Sequence, residues 1–265
     1  MADRKYTLIT GATSGIGYAL AREFAARGHH LILASRTLAR MEEIRRDFTE
    51  KYPGRDVICM QTDLSQPEAA EKLFEHCRNY TVNVLVNNAG VLVNAIRQTD
   101  QSIEACEELL QLNCAAVMKL STLFGGLMCV QRSGYILNLA STAAFQPMPF
   151  SALYGASKAF VLSLSEAMHI ELGDSGVGVT ALCPGLTDTD LFKHGRPNVP
   201  GWLYKMVSPE LTARRAVKAM YRKKTYVIPC FQHWLFAQTS RFLTRQMLTR
   251  IMRSIGKVRH KIRFI

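Results

Sequence analysis

The sequence lacks several features that would place it in a specialised class of protein. No stretch reaches about 18 uncharged apolar residues, so a membrane-spanning helix is not expected. Residues 1–5 lead directly into the apolar run 6–10 without a long apolar segment, so a signal peptide is not expected either. The seven cysteines form no C-x-x-C pair and no cluster with histidine, so neither a disulfide framework nor a zinc site is indicated. Most cysteines should be small buried residues in a reduced compartment.

Acidic residues are absent from residues 231–265, which we call the tail and which contain eight Lys or Arg. The rest of the chain has 25 Lys or Arg against 21 Asp or Glu, so the tail supplies most of the net charge of +12. This distribution argues against a nucleic-acid footprint over the whole chain. In the tail, apolar residues recur at three-to-four spacing with arginines mainly on the other side, which predicts one amphipathic basic helix. These apolar residues are Leu235, Phe236, Leu243, Met247, Leu248, Ile251 and Ile255. The pattern leaves open an anionic membrane surface or packing against protein, with nucleic acid the least favoured partner.

What the sequence does contain is an alternation of short apolar runs and helical patterns. A chain of 265 residues with 48% hydrophobic and 20% charged residues is sufficient for one folded α/β domain. The apolar runs are 6–10, 31–34, 57–61, 82–86, 135–140, 177–183 and 225–228. They predict a Rossmann-type, doubly wound parallel sheet of about seven strands over residues 1–230, with helices on both faces. A loop-like stretch at about 186–208 is rich in Gly, Pro, Asn and His and suits a mobile substrate lid.

The first strand is followed by the glycine-rich stretch 11–17 and then by a helical pattern. Glycines allow a tight turn and close approach of a ligand, and a helix N-terminus offers unpaired N–H groups to a phosphate. Strand, turn and helix together favour dinucleotide binding over a merely structural loop. The second strand ends without the carboxylate that would accept bonds from an adenosine ribose. It ends instead in Ser35, Arg36 and Thr37. Arg36 can pair with a phosphate, so this ending favours a preference for NADP(H), and the alternative is that Arg36 is only a solvated surface residue.

Two further groups of polar residues suggest proton-transfer chemistry. Tyr154 and Lys158 are four apart in a predicted helix with Ser151 as its N-cap, so they share one face. A lysine ammonium beside a phenol lowers the tyrosine pKa from about 10, although the pair alone does not exclude coincidence.

Asn113 lies within a long predicted helix, 103–130, among large apolar residues, and is expected to be buried with a specific task. Ser141 directly follows the fifth strand, where parallel sheets place their ligands.

These residues together resemble the short-chain dehydrogenase/reductase family in its single-domain form, over roughly residues 5–230. The resemblance rests on six signatures in the family's order and spacing. They are Thr10-Gly11-x-x-x-Gly15-x-Gly17, Asp63 with Asn87-Asn88-Ala89-Gly90, Asn113, Ser141, Tyr154-x-x-x-Lys158 and Pro184-Gly185-x-x-x-Thr189. The family pattern does not cover the basic tail.

The resemblance implies a role for each matching position. Tyr154 would be the proton donor and acceptor, and Lys158 would lower its pKa and hold the nicotinamide ribose. Ser141 would donate to the substrate oxygen, and Asn113 would hold a water that links Lys158 to solvent. The implied cofactor contacts are Gly11, Ser14, Ile16 and Gly17 at the pyrophosphate, Arg36 at the 2′-phosphate, Asp63 and Leu64 at adenine, Asn88 on the adenosine side, and Thr187 at the nicotinamide amide, together with Tyr154 and Lys158.

The favoured hypothesis is an NADP(H)-dependent oxidoreductase that interconverts a carbonyl and an alcohol on an apolar substrate. The alternatives are a catalytically silent NADP(H) sensor or scaffold and, less favoured, a sugar-nucleotide epimerase or dehydratase. The substrate pocket is expected to be apolar, with Phe145, Met148, Phe150, Phe192 and Trp202 near it. The resemblance also implies a homodimer or homotetramer. The expected location is the cytoplasm, with the tail available for peripheral membrane association.

Overall fold

A computed structural model describes residues 4–92, 97–189 and 206–261, with side chains described up to residue 253. Its described residues form one seven-stranded parallel sheet in the order β3-β2-β1-β4-β5-β6-β7. The strands are β1 Lys5–Thr10, β2 His30–Ser35, β3 Val57–Gln61, β4 Thr81–Asn87, β5 Gly134–Leu139, β6 Val177–Leu182 and β7 Tyr226–Val227. The predicted doubly wound sheet is confirmed. The strand order reverses between β1 and β4, the point at which such sheets place a ligand.

Helices cover both faces of the sheet. They are α1 Gly15–Ala26, α2 Leu38–Lys51, α3 Ala69–Cys77, α4 Ile103–Leu110, α5 Ala116–Val130, α6 Ala152–Glu171, α7 Pro209–Tyr221, α8 Phe231–Phe242 and α9 Arg245–Lys261. Ser151 stands at the predicted N-cap position of α6, but its side chain makes no capping hydrogen bond. Ser208, by contrast, accepts a hydrogen bond from the Leu211 N–H at 3.2 Å and so fixes the start of α7.

Two hydrophobic layers form the core, one on each face of the sheet. Successive residues of β1 alternate between them, as a strand requires: Ile9 packs in the layer with Phe24 of α1, and Leu8 in the layer with Phe124 of α5. All four side chains are almost completely buried. This packing holds the carboxyl ends of β1, β4 and β5 in fixed positions, which is where the site is built.

The long helix predicted at 103–130 is present, but it contains a π-helical turn. α4 and α5 are joined by the π turn Gln111–Ala115, so the helical segment is continuous over Ile103–Val130. By length and composition this segment could cross a membrane. Its place is in the core, however, since Leu120 and Phe124 are buried against the sheet and Lys119 pairs with Glu71 of α3 at 2.6 Å.

Two expectations require correction. The tail forms two helices and not one, because Leu243 is extended (φ −105°, ψ 144°) and the Thr244 hydroxyl accepts a bond from the Met247 N–H to begin α9. The cysteines are less buried than expected: Cys77 and Cys183 are buried, whereas the other five are partly exposed. None of the cysteines forms a disulfide, in agreement with their scattered positions.

Candidate active site

A glycine-rich turn joins β1 to α1 and forms one wall of a cleft at the carboxyl edge of the sheet. Gly11 and Gly15 have φ angles of +64° and +53°, a left-handed conformation that favours glycine. A Cβ on Gly17 would lie 2.1 Å from the Gly11 carbonyl oxygen, so a side chain there would displace the turn. Ser14 precedes α1 and its hydroxyl makes no capping bond. The turn therefore presents helix N–H groups and a hydroxyl to the cleft, an arrangement that fits a pyrophosphate.

The cleft has a volume of about 270 Å³ and brings together most of the predicted cofactor residues. Eight of them line it: Gly11, Ser14, Ile16, Gly17, Arg36, Asp63, Leu64 and Asn88. The structure adds Thr62, Leu112 and Leu139 to the wall, three residues that sequence reasoning did not assign to the site. Thr13 and Thr189 also line the cleft, and both lie within stretches that the sequence had already singled out. Thr62, Leu112 and Leu139 lie on separate segments, so no single motif could have indicated them.

Arg36 lies at the end of β2 on the rim of the cleft, with 68% of its side chain exposed. Its guanidinium is 3.9 Å from the Glu108 carboxylate of α4, a neighbour that the sequence did not indicate. Partial burial tends to raise the pKa of the nearby Asp63 carboxyl. Two hydrogen bonds from Ser65 and the charge of Arg36 outweigh that effect, so the pKa of Asp63 is lowered. The rim thus offers a cation to a phosphate but also places two carboxylates near it.

Asn88 lines the cleft, yet its amide N–H groups are used within the protein. The side-chain nitrogen donates to the carbonyl oxygens of Thr10 at 3.0 Å and Gly11 at 2.9 Å. The Asn88 backbone N–H donates to the Thr10 hydroxyl at 3.0 Å. Asn88 therefore holds the glycine-rich turn in place, a task that a prediction based on motif alone did not identify.

Asn113 is completely buried in the π turn, as its position in the sequence predicted. Its oxygen accepts a bond from the Val91 N–H at 2.9 Å. Its nitrogen donates to the Val91 carbonyl at 3.0 Å and to the Ser157 hydroxyl at 3.2 Å. These bonds fix the segment after Gly90 against α6. Because both amide N–H groups are used, the side chain can contact a water only through its oxygen, and the water relay stays a prediction.

Lys158 lies on the buried side of α6, next to the wall of the cleft. Its side-chain nitrogen donates to the Leu139 carbonyl at 2.9 Å and lies 5.8 Å from the centroid of the Tyr154 ring. A Cβ on Gly90 would be 3.4 Å from the same nitrogen. Burial lowers the pKa of the Lys158 ammonium to about 8, with opposing contributions from Cys114 and Cys183. The ammonium therefore remains charged at pH 7 but loses its proton at mildly alkaline pH.

Ser141 follows β5 and begins a short 3₁₀ helix, Thr142–Phe145. Its hydroxyl accepts a bond from the Ala143 N–H at 3.1 Å and donates to the Pro184 carbonyl at 3.4 Å. The second bond is long and therefore weak, so the hydroxyl can exchange it for a substrate oxygen at small cost. Ser141 is thus positioned from both β5 and the segment that follows β6.

Thr187 does not line the cleft in the described residues. It is buried, and its hydroxyl donates to the Gly185 carbonyl at 3.3 Å. The two ends of the predicted lid meet here, since the Val207 N–H donates to Leu186 and the Asp188 N–H donates to Val207, both at 3.0 Å. The rest of that stretch, 190–205 with Phe192 and Trp202, lies outside the described residues.

Comparison with known proteins gives matches over most of the chain. Residues 5–199 match the family described as short chain dehydrogenase. The chain is 34% identical over 191 residues to mouse 17-beta-hydroxysteroid dehydrogenase type 3, a match that covers 72% of this chain and 62% of that protein. It is 27% identical over 241 residues to very-long-chain 3-oxoacyl-CoA reductase of Anas platyrhynchos, covering 88% of this chain and 75% of that protein. The chain thus spans less than two thirds of the mouse relative.

A solved structure agrees over a larger share of the chain. The short-chain dehydrogenase from Sphingobium yanoikuyae in complex with NADPH has a TM-score of 0.79 and 30% sequence identity. The match covers 90% of this chain and 94% of that one. Its extent reaches beyond residue 199, so the shared fold includes the carboxyl edge where the candidate site lies.

Proposed function

The chain belongs to the short-chain dehydrogenase/reductase family, and from this premise we propose that it is an NADP(H)-dependent oxidoreductase. It interconverts a carbonyl and an alcohol on an apolar, lipid-like or ketone substrate. The observation that carries the proposal is the contact between the two halves of the site. Leu139 and Gly90 line the cofactor cleft, and both lie beside the side-chain nitrogen of Lys158. That nitrogen donates to the Leu139 carbonyl at 2.9 Å and would lie 3.4 Å from a Cβ on Gly90, so Lys158 adjoins the cleft. The names of two relatives, a 17-beta-hydroxysteroid dehydrogenase and a very-long-chain 3-oxoacyl-CoA reductase, support an apolar substrate.

The chain's own residues handle the proton. When bound, NADP(H) supplies the hydride chemistry, and the protein supplies position and electrostatics. Tyr154 gives a proton to the substrate oxygen in reduction and takes one in oxidation. Lys158 is charged at pH 7, since its pKa is about 8, and its ammonium favours the phenolate of Tyr154. Ser141 exchanges its long bond to Pro184 for one to the substrate oxygen.

A turnover assay tests the reaction. Purified protein is mixed with NADPH and a panel of bulky ketones, and the loss of NADPH absorbance is followed. Tyr154→Phe should abolish turnover and retain NADPH binding, because it removes the proton donor alone. Tyr52→Phe is the matched control, since that ring packs against Phe48 at 5.6 Å on the far side of the fold and should leave turnover unchanged. NADPH binding without turnover across the panel would instead indicate the catalytically silent sensor.

A binding assay tests the cofactor preference. NADP⁺ should bind more tightly than NAD⁺, and Arg36→Asp should reverse that order. Glu108→Gln should strengthen NADP⁺ binding in particular, since the Glu108 carboxylate lies 3.9 Å from the Arg36 guanidinium. Arg40→Asp is the control, because Arg40 pairs with Glu43 on the surface of α2. Tighter binding of NAD⁺ by the unmodified protein would refute the role of Arg36.

We also propose that the protein is a homodimer or homotetramer in the cytoplasm. Exposed apolar side chains on α5 and α6 support the assembly, among them Leu127, Val130, Phe160 and Ile170. The seven unpaired cysteines are consistent with a reduced compartment. Light scattering of the purified protein tests the assembly, and Phe160→Asp should shift the mass toward that of a monomer. A monomeric mass for the unmodified protein would reject it.

A further inference from the structure

We propose that the tail docks the protein on an anionic lipid surface, with exposed apolar side chains of α8 and α9 inserted between headgroups. In the described part of the tail, each helix buries one side. His233 and Ala237 of α8 and Leu248 and Met252 of α9 are buried. A Cβ on Gly185 would lie 2.4 Å from the His233 ring nitrogen Nδ1, so α8 packs directly against the segment after β6.

The opposite side of α8 keeps large apolar side chains in solvent. Phe231 is 71% exposed, Leu235 57% and Phe242 85%. Their spacing of four and seven residues places all three on one helical face, at roughly 100° from one residue to the next. Trp234 stacks on Phe231 with 5.7 Å between ring centroids and adds a third exposed aromatic ring. Four large apolar side chains on one short helix form an exposed hydrophobic patch. Exposure of such a patch to water is unfavourable, and patches of this kind mark interaction surfaces.

The second tail helix repeats this arrangement. Met247 and Ile251 of α9 are exposed and lie one helical turn apart, while their neighbours Leu248 and Met252 are buried. We call the exposed set Phe231, Leu235, Phe242, Met247 and Ile251 the tail surface. The domain thus anchors α8, α9 contacts α8, and the tail surface is left uncovered within the described residues.

The positive charge of the tail favours an anionic lipid surface over a second copy of the chain as the partner. Arg241, Arg245 and Arg253 are exposed, and no ion pair among the described residues involves them. The whole tail contains eight Lys or Arg and no Asp or Glu. A second copy docked through the same surface would bring like charges together, which is unfavourable. An anionic bilayer matches both the positive charge and the exposed apolar side chains of the tail. The headgroup phosphates pair with arginine, and the aromatic and aliphatic side chains insert at the boundary between headgroups and acyl chains.

The position of α8 connects this surface to the site. α8 contacts the 3₁₀ helix Thr142–Phe145 that follows Ser141, and it packs against Gly185. Both contacts lie at the carboxyl edge of the sheet, the edge that also holds the cofactor cleft. A bilayer on the tail surface therefore lies near the entrance for an apolar substrate. This consequence rests on the proposed function, whereas lipid binding itself does not.

Vesicle flotation with the full chain tests the proposal without substrate or cofactor. Phosphatidylcholine vesicles are compared with phosphatidylcholine vesicles that contain phosphatidylglycerol. Binding should require the anionic lipid and weaken with added salt. Phe242→Ser should lower the affinity by about tenfold or more, because it removes the most exposed aromatic side chain from the interface. Arg241→Gln and Arg245→Gln should each lower it by roughly fivefold.

The control is Leu211→Asp on α7, a comparably sized exposed apolar residue outside the tail. The acid stands in the first turn of that helix and should be tolerated, and vesicle binding should not change. Circular dichroism confirms that each variant is folded. Absence of flotation with anionic vesicles overturns the proposal, as does equal binding by the folded Phe242→Ser protein. Concentration-dependent dimerisation that Phe242→Ser abolishes, without vesicle binding, would assign the tail surface to a second copy.

Discussion

Replacing Lys158 with methionine removes a charge from a residue that is only 4% exposed, and it should change how stability depends on pH. Burial lowers the pKa of the Lys158 ammonium from 10.5 to about 8 in the folded protein. Between these two pH values the unfolded chain binds more protons at this residue than the folded chain does. The free energy of unfolding should therefore rise with pH across this window in the unmodified protein, because stability increases wherever the unfolded state binds the additional proton.

The magnitude follows from the two pKa values. A pKa difference from 10.5 to about 8 corresponds to about 3 kcal/mol, of which about 2 to 3 kcal/mol falls between pH 7 and pH 10. Below pH 8 burial of the charged ammonium lowers the free energy of unfolding. The hydrogen bond from Lys158 to the Leu139 carbonyl offsets part of this loss. Above pH 8 that cost is progressively relieved. Lys158→Met has no such charge, so this contribution to its pH dependence is absent.

Urea unfolding followed by circular dichroism at several pH values measures the effect. The relevant quantity is the free energy of unfolding of the unmodified protein minus that of Lys158→Met, since the difference cancels other titrating groups. It should increase by about 2 to 3 kcal/mol from pH 7 to pH 10. Lys218→Met on the surface of α7 should give a nearly flat difference. A difference for Lys158→Met that stays constant within about 0.5 kcal/mol would refute a buried, weakened ammonium.

Three further predictions concern the cleft and the core. Gly17→Ala should weaken NADPH binding by about tenfold or more in a fluorescence titration, because its Cβ would meet the Gly11 carbonyl oxygen at 2.1 Å. Gly126→Ala, which meets no atom within 4 Å, should bind normally. Asn113→Ala should lower the free energy of unfolding by about 2 to 4 kcal/mol, since it breaks the three hydrogen bonds of a fully buried side chain. Phe124→Ala should lower it by about 3 to 5 kcal/mol, and a loss below 1 kcal/mol for either variant in urea unfolding would contradict the packing described.

Much of the fold follows from local sequence patterns. The bounds of β3 agree with the apolar run expected at 57–61. Other elements also carry strong local signals, such as the Ser208-Pro209 start of α7. Alternating strands and helices of this length then restrict the topology to a parallel sheet with crossover helices.

Local patterns failed where a conformation depends on distant residues. The π turn at Gln111–Ala115 follows from the bonds of Asn113 to Val91 and Ser157, which lie on other segments. The proximity of Glu108 to Arg36 likewise depends on tertiary packing, which brings these side chains of α4 and of the end of β2 within 3.9 Å of each other. The break in the tail at Leu243 interrupts an apolar period that continues through it. In none of these cases do the neighbouring residues in the sequence indicate the conformation or the contact.

The sequence by itself determined which residues are the candidates for proton transfer and for cofactor binding. Tyr154, Lys158, Ser141 and Asn113 are recognisable by type and spacing, and the glycine turn by its position after a strand. The tertiary structure decided what state those residues are in. Whether Lys158 is charged depends on burial, and the availability of Asn113 depends on its partners across the fold. Burial and long-range contacts set these properties, and both arise only when the chain has folded.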